Sequence, residues 1–137
     1  MEIRLFKQTD ADSVTTLWRQ VFGYTEPRND PAISLQRKLA ANDDLLLVAL
    51  VDGELAGTVM GGYDGHRGWI YSLAVAEHVR RRGVGKALVL RMEQLLAARD
   101  CPKINLQVLT TNAGVVTFYQ KLGYNVEQRI SMGKVLS

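Results

Sequence analysis

A basic, glycine-containing turn over residues 80–86, Arg-Arg-Arg-Gly-Val-Gly-Lys, has the residue types and spacing of an anion-binding site. Glycines beside the start of a helix let the backbone approach a ligand and leave N–H groups pointing outward. The start of a helix carries partial positive charge, and four basic side chains add to it. The turn is therefore predicted to bind a diphosphate, the alternative being a basic turn that only begins a helix.

Two common diphosphate motifs do not fit this turn. The nucleotide-triphosphate P-loop requires glycine and serine or threonine at the positions that Arg80 and Ala87 occupy. The dinucleotide fingerprint requires a third glycine where this chain has Leu88. Another class of diphosphate ligand is therefore expected.

A strand is predicted over residues 69–75, directly before the turn, and a helix over residues 83–99 after it. Strict alternation would place Trp69, Tyr71, Leu73 and Val75 on one face of the strand and Ile70, Ser72 and Ala74 on the other. The strand and helix would hold the turn between them.

A second informative stretch, residues 111–124, follows a strand predicted over residues 104–109. Asn112 can cap a helix there, and Gly123 supplies a left-handed stop. Tyr119 shares one helix face with Val115 and Leu122, so spacing alone makes it a core residue.

Further elements complete an alternation of strands and helices. Strands are predicted over residues 2–6, 45–51, 55–61, 126–130 and 132–136, and helices end near residues 22 and 41. Asp52-Gly53 is a strong signal for a two-residue hairpin. Asp30 before Pro31 is the expected start of the second helix.

The Arg-x-x-Gly-x-Gly turn after a Leu-x-Val strand, with the later Asn-x₆-Tyr-x₃-Gly-Tyr, resembles the two signatures of the GNAT N-acetyltransferases. The resemblance covers nearly the whole chain. Residues 29–31, 57–68, 101–103 and 122–124 are similar to small single-domain bacterial members of the YpeA type. It implies one α/β (α+β) domain over residues 1–137, with a mixed, mostly antiparallel sheet of six to seven strands flanked by four helices.

The resemblance also implies acetyl-CoA as the acyl donor, without a metal. Its pyrophosphate is expected at the basic turn, and its pantetheine amides along the strand before it. The implied cofactor-binding residues are Leu73, Ala74, Val75, Arg80, Arg81, Arg82, Gly83, Val84, Gly85, Lys86, Asn112 and Tyr119.

The implied reaction is acetyl transfer to a primary amine by direct attack in a ternary complex, with Tyr119 protonating the leaving thiolate. A lysine-like amine has a pKa of about 10.4 and needs a base. Beside Tyr119, the candidate bases are Asp64, His66, Glu77 and Asp30, among which the sequence does not choose. The substrate-binding candidates are Tyr24, Asp30 and Tyr63. Asp30 could instead only cap a helix, and residues 63–67 could be a solvated hairpin.

Composition limits the remaining possibilities. The net charge of +3 is too small and too local to indicate nucleic acid, and no apolar run is long enough to cross a membrane. One cysteine, Cys101, excludes an internal disulfide and favours the cytoplasm. The acceptor is a small-molecule or a peptide amine, and edge strands make a homodimer possible. The alternative function is a non-catalytic acyl-CoA-binding sensor or regulatory module.

Overall fold

Five strands form one sheet in the order β1-β2-β3-β4-β5 in a computed structural model that describes residues 1–24 and 26–137. The strands are β1 Glu2–Leu5, β2 Leu46–Val51, β3 Glu54–Tyr63, β4 Gly68–Val75 and β5 Ile104–Asn105. Neighbours from β1 to β4 are antiparallel, and β5 pairs parallel with β4. Asp52 and Gly53 both have positive φ, as the predicted tight hairpin between β2 and β3 requires.

The described chain divides into two compact units, Met1–Leu106 and Gln107–Ser137. The first contains the sheet and three α-helices: α1 Ala11–Phe22, α2 Pro31–Ala40 and α3 Val84–Ala97. The second contains α4, Ala113–Lys121. No helix among the described residues is long and apolar enough to cross a membrane.

The helix boundaries follow local chemistry. The Asp30 carboxylate accepts the backbone N–H groups of Ala32 and Ile33, and Pro31 takes the first helical position of α2. Gly23 ends α1 in the left-handed conformation at φ +60°. The start at Asp30-Pro31 and the helix end near residue 22 that the sequence predicts are confirmed.

The expected strand count is wrong, because the described sheet has five strands and not six to seven. The strand predicted over residues 104–109 ends at Asn105, and residues 126–130 and 132–136 have no regular secondary structure. Ile130 and Met132 are each 91% exposed. Alternating apolar residues form a strand only when a neighbouring strand accepts their hydrogen bonds, and alternation alone does not supply that neighbour.

β4 contains a β-bulge near its centre. Tyr71 lies opposite Met60 but Ala74 lies opposite Thr58, so β4 has one extra residue between these pairs. Ser72, within the extra stretch, has a left-handed backbone with φ +49°. A one-residue shift in register moves the side chains that follow to the other face of the sheet.

The glycines of β3 show this reversal. A Cβ on Gly57 or Gly61 would meet side chains of α3, and the residues opposite them are Val75 and Ile70. Ile70 and Val75 therefore both face α3, although strict alternation would put them on opposite faces. The predicted single face for Trp69, Tyr71, Leu73 and Val75 is wrong, because the bulge separates Val75 from the first two.

A buried hydrogen bond ties α1 to the sheet beside the bulge. Trp18 Nε1 donates to Thr58 Oγ1 at 2.8 Å, and both residues are inaccessible to solvent. Thr58 Oγ1 lies 3.5 Å from the Ser72 carbonyl, which it can reach as a donor. The α1 face of the sheet is thus the face of Thr58, Met60 and Gly62 on β3.

Candidate active site

Two residues of the basic turn, just before α3, have a left-handed backbone. Gly83, immediately before the helix, has φ +80°, and Arg81 has φ +67°. A left-handed conformation costs about 1–2 kcal/mol for a residue with a side chain, and such strain concentrates at ligand sites. The strain at Arg81 is a feature that the residue types do not reveal.

The first turn of α3 is open to an anion. Gly83 provides no side-chain cap, and Val84, Gly85 and Lys86 occupy the positions whose N–H groups lack helical partners. A Cβ on Gly83 would meet nothing within 4 Å, so space is available in front of these groups. The side chains of residues 80–82 and 86 are exposed around it. The predicted anion site therefore has suitable geometry and charge.

The end of β4 has an edge that no described strand pairs with. The ladder to β5 consists of Gly68 with Ile104 and Trp69 with Asn105, and it ends there. Residues 70–75, which include the predicted pantetheine-binding residues, lie beyond it. Arg80 Nε donates to the Val75 carbonyl at 3.3 Å, and the second lone pair of this oxygen can still accept a ligand amide.

A groove of about 900 Å³ lies between α1 and the segment that follows β4. The segment contributes Ala76, Glu77, His78 and Arg80. Leu55 and one face of α1 form the rest of the lining: Asp12, Ser13, Thr16, Leu17, Gln20 and Val21. Of the four candidate bases, Glu77 is the one that lines this groove.

The turn between β3 and β4 holds two further candidate bases, Asp64 and His66. Asp64 accepts the backbone N–H groups of His66 at 2.7 Å and of Arg67 at 2.8 Å. These bonds, first from Arg67 and then from His66, lower the pKa of the exposed Asp64 carboxyl. Tyr63 Oη lies 3.4 Å from two carbonyls, those of Gly65 and Asp100. Asp64 thus stabilises the turn and stays ionised.

The β3–β4 turn and the basic turn lie at opposite ends of β4. The strand has eight residues, which span about 26 Å at 3.3 Å per residue. The structure therefore does not bring Asp64 and His66 together with Glu77 and the basic turn.

The segment between α1 and α2 brings two acceptor-side candidates together. Burial, and secondarily the negative charge of Asp30, raise the pKa of Tyr24. The Tyr24 ring also packs edge-on against Phe22, with centroids 6.1 Å apart. Asp30 has the helix-capping role that the sequence offered as its alternative. Tyr63, the third candidate, is the last residue of β3, beside the β3–β4 turn.

The second unit carries Asn112 and Tyr119. Asn112 precedes α4, but its side chain makes no capping hydrogen bond, contrary to the capping expected from the sequence. Tyr119 is 7% exposed and packs edge-on against Phe118 and Tyr124. This burial raises the pKa of Tyr119 to about 12, so its hydroxyl remains protonated at neutral pH.

Comparison with known proteins identifies the family. A family model described as acetyltransferase (GNAT) family matches residues 11–124. The chain belongs to the GNAT acetyltransferase family. An acetyltransferase of Pectobacterium atrosepticum is 48% identical over 136 residues, which cover 99% of this chain and 96% of that protein.

Solved structures have the same GNAT fold. An aminoglycoside N-acetyltransferase in complex with CoA matches with a TM-score of 0.80 at 19% identity, over 98% of this chain and 93% of the other. Ard1 from Thermoplasma volcanium matches with a TM-score of 0.76 at 28% identity, over 92% and 83%. The mixed, mostly antiparallel sheet and the four helices expected from the resemblance are confirmed.

Sequence reasoning missed one feature of this GNAT chain, an aromatic pair on β4. The rings of Trp69 and Tyr71 are stacked with centroids 6.4 Å apart and planes 17° apart. Tyr71 is 48% exposed, although it lies in the middle of a strand. Two aromatics two residues apart, near the Gly61-Gly62 pair of β3, are the signal that could have identified it.

Proposed function

We propose that this GNAT protein transfers the acetyl group of acetyl-CoA to a primary amine. The observation that carries the proposal is the uncapped start of α3, preceded by left-handed Arg81 and Gly83 and surrounded by exposed basic side chains. Helix N–H groups and positive charge suit a pyrophosphate. The complex of the similar aminoglycoside N-acetyltransferase with CoA supports the same donor.

The unpaired edge of β4 suits the amides of the donor. Leu73, Ala74 and Val75 would present backbone groups to the pantetheine as a neighbouring strand would. A backbone N–H in this stretch would stabilise negative charge on the thioester oxygen as it forms.

In the proposed reaction the amine nitrogen bonds to the carbonyl carbon, the carbon–sulfur bond breaks, and the electron pair leaves on sulfur. Tyr119 is the proposed proton donor to this sulfur, and Asn112 is proposed to contact the coenzyme. A phenol of pKa about 12 would protonate a thiolate of pKa about 8.5 at a cost of about 5 kcal/mol. Tyr119 therefore acts first as a hydrogen-bond donor, and full transfer requires that the bound complex lower its pKa.

Glu77 is the proposed base, because it lines the groove beside α1. It would remove the proton of the amine directly or through water. Replacing Glu77 with glutamine is expected to lower kcat by about 10²–10⁴. Asp64 and His66 stay alternative predictions, and the same substitution test applies to each.

The first experiment is calorimetric titration of the full chain with acetyl-CoA. Gly83→Glu should weaken binding at least tenfold by adding strain and negative charge; the open surroundings of Gly83 exclude crowding by protein atoms. Gly53→Glu is the matched control, because Gly53 has φ +79° and equally open surroundings outside the basic turn. Unchanged affinity in Gly83→Glu would refute the pyrophosphate site.

A second experiment separates an enzyme from a sensor. Release of the CoA thiol is measured with acetyl-CoA and a panel of small amines and peptides. Saturable binding without amine-dependent thiol release would favour the acyl-CoA-binding sensor. Tyr119→Phe should lower turnover while leaving the affinity for acetyl-CoA nearly unchanged, and wild-type turnover would contradict its role.

The domain count, the acceptor class, the cellular location and the oligomeric state are proposed on separate grounds. A single domain over residues 1–137 is supported by the family match, which runs through both compact units. A small-molecule amine and a peptide amine both remain acceptor classes. The cytoplasmic location, which rests on the single cysteine, and the homodimer stay predictions.

A further inference from the structure

The stacked Trp69 and Tyr71 rings form an aromatic surface on the α1 face of β4, in which Tyr71 is exposed and Trp69 is partly buried. Trp69 lies opposite Gly62 on β3, so no β3 side chain covers its ring, and its partner on β5 is Asn105. A Cβ on Gly62 would stand 3.7 Å from the Tyr71 ring, which places the glycine against this pair. Glycine inside a strand often marks the close approach of a ligand.

Negative charge lies beside this surface. Burial is the main cause that raises the pKa of Tyr71, and the charge of Asp64 is the second. The two backbone N–H groups that Asp64 accepts fix its carboxylate in the β3–β4 turn. The positive charge of Arg67 also lies at this end of β4, because its Nη1 donates at 3.1 Å to Oδ1 of Asn105, the β5 residue opposite Trp69. The carboxylate of Asp64 is needed to offset this charge. His66 is exposed. Aromatic faces with a neighbouring carboxylate attract organic cations.

We propose that Trp69, Tyr71 and Asp64 bind a second cationic nitrogen of the acceptor, which makes small diamines and polyamines the substrate class. This inference rests on the proposed acetyl transfer. Tyr71 lies two to four residues from Leu73–Val75, about 7–13 Å along the strand. The subsite is thus too far from the proposed thioester position to hold the reacting nitrogen, and it binds the other end of the acceptor.

The test compares cadaverine with hexylamine, a monoamine of matching length, in the thiol-release assay. Wild-type protein should prefer cadaverine by about 2- to 30-fold in kcat/KM, which corresponds to about 0.5–2 kcal/mol. Tyr71→Leu and Trp69→Leu should reduce this ratio toward one, and Tyr71→Phe should retain it. Leu90→Ala is the control, because Leu90 is 40% exposed on α3.

Asp64→Asn distinguishes a subsite from a base. Loss of a binding charge lowers the cadaverine-to-hexylamine ratio, whereas loss of a catalytic base lowers kcat for both amines equally. A lower ratio supports the subsite, and an unchanged ratio overturns the part assigned to Asp64.

Alanyl-lysine and alanyl-norleucine form a second arm with the same chemistry on a peptide. A preference for alanyl-lysine without one for cadaverine would support a cation subsite and overturn the small-molecule class. Equal rates within both pairs, unaffected by Tyr71→Leu, would overturn the subsite while leaving acetyl transfer intact.

Binding can also be measured without turnover. The chain has two tryptophans, and Trp18 is fully buried, so ligand-induced fluorescence changes at the surface report Trp69. Cadaverine should change this emission more than hexylamine, and Trp69→Leu should abolish the difference. A cadaverine response without acetylation of any amine would support the subsite and refute the proposed enzyme. The same response to both amines would refute the subsite.

Discussion

Replacing Thr58 with valine removes one hydroxyl group from a position that water does not reach. Valine has nearly the same shape, so the substitution creates little empty space. The hydroxyl accepts the indole N–H of Trp18 at 2.8 Å, and both residues have no exposed surface. In Thr58→Val the indole N–H stays buried without a partner, which costs about 1–3 kcal/mol of unfolding free energy.

Urea unfolding of the full chain measures this loss. Thr58→Ser is the control, because it retains the hydroxyl and loses one methyl group, worth about 0.8 kcal/mol. Thr58→Val and Thr58→Ser can lose similar amounts of stability, so stability alone does not separate them. The coupling of each substitution to Trp18 does. In the Trp18→Phe background the donor is absent, so Thr58→Val should cost about 1–2 kcal/mol less than in the wild type.

Thr58→Ser should show little coupling to Trp18→Phe, since its hydroxyl still accepts the indole N–H in the wild-type background. Additive losses for Thr58→Val and Trp18→Phe would refute the reasoning. So would a Thr58→Val protein as stable as the wild type. Either result would mean that packing, and not this hydrogen bond, joins α1 to the bulged part of the sheet.

Three further predictions concern other parts of the chain. Gly57→Ala would bring a Cβ within 3.0 Å of two α3 side chains and 3.2 Å of a backbone oxygen; urea unfolding should show a loss of about 1–3 kcal/mol, and calorimetry weaker acetyl-CoA binding. An unchanged affinity for acetyl-CoA would mean that the packing of the start of α3 does not affect donor binding. In Tyr119→Phe, the ultraviolet phenolate titration should lose a component with a midpoint near pH 12. Because folding raises this pKa, the stability that the neutral phenol gives below pH 10 is lost as pH rises toward 12. The hydrogen bonds from Arg4 are the main cause that lowers the pKa of Asp10. The stability that the ionised Asp10 carboxylate contributes is therefore lost as pH falls below about 3.8. Asp10→Asn should lower stability at pH 7 by about 1–3 kcal/mol and flatten the acid limb of a urea-unfolding series; an unchanged acid limb would contradict the assignment.

The features predicted correctly from the sequence depend on neighbouring residues. Asp30 and Pro31 start α2 because a carboxylate and a proline satisfy local requirements of the first helical turn. Gly83 is left-handed where the glycine pattern placed an anion-binding turn. Such features require only a few residues along the chain, which the sequence shows directly.

The features that escaped prediction depend on distant residues. The bulge at Ser72 arises from the register between β3 and β4, and serine is not a residue type that indicates a left-handed backbone. The strand expected after Ile104 ends at Asn105, since a strand lasts only as long as its pairing. The separation of Asp64 from Glu77 follows from the length and direction of β4, which local patterns do not convey.

The bulge in β4 also has a consequence for how this protein can diversify. Trp69 and Tyr71 before it face the α1 side of the sheet, whereas Ile70 and, beyond the bulge, Val75 face α3. A substitution at Trp69 or Tyr71 can therefore alter the α1-side surface without altering the contacts with α3. Selection can change what binds at the aromatic pair while the end of the strand and the start of α3 stay constant. One strand thus carries two surfaces that can evolve independently.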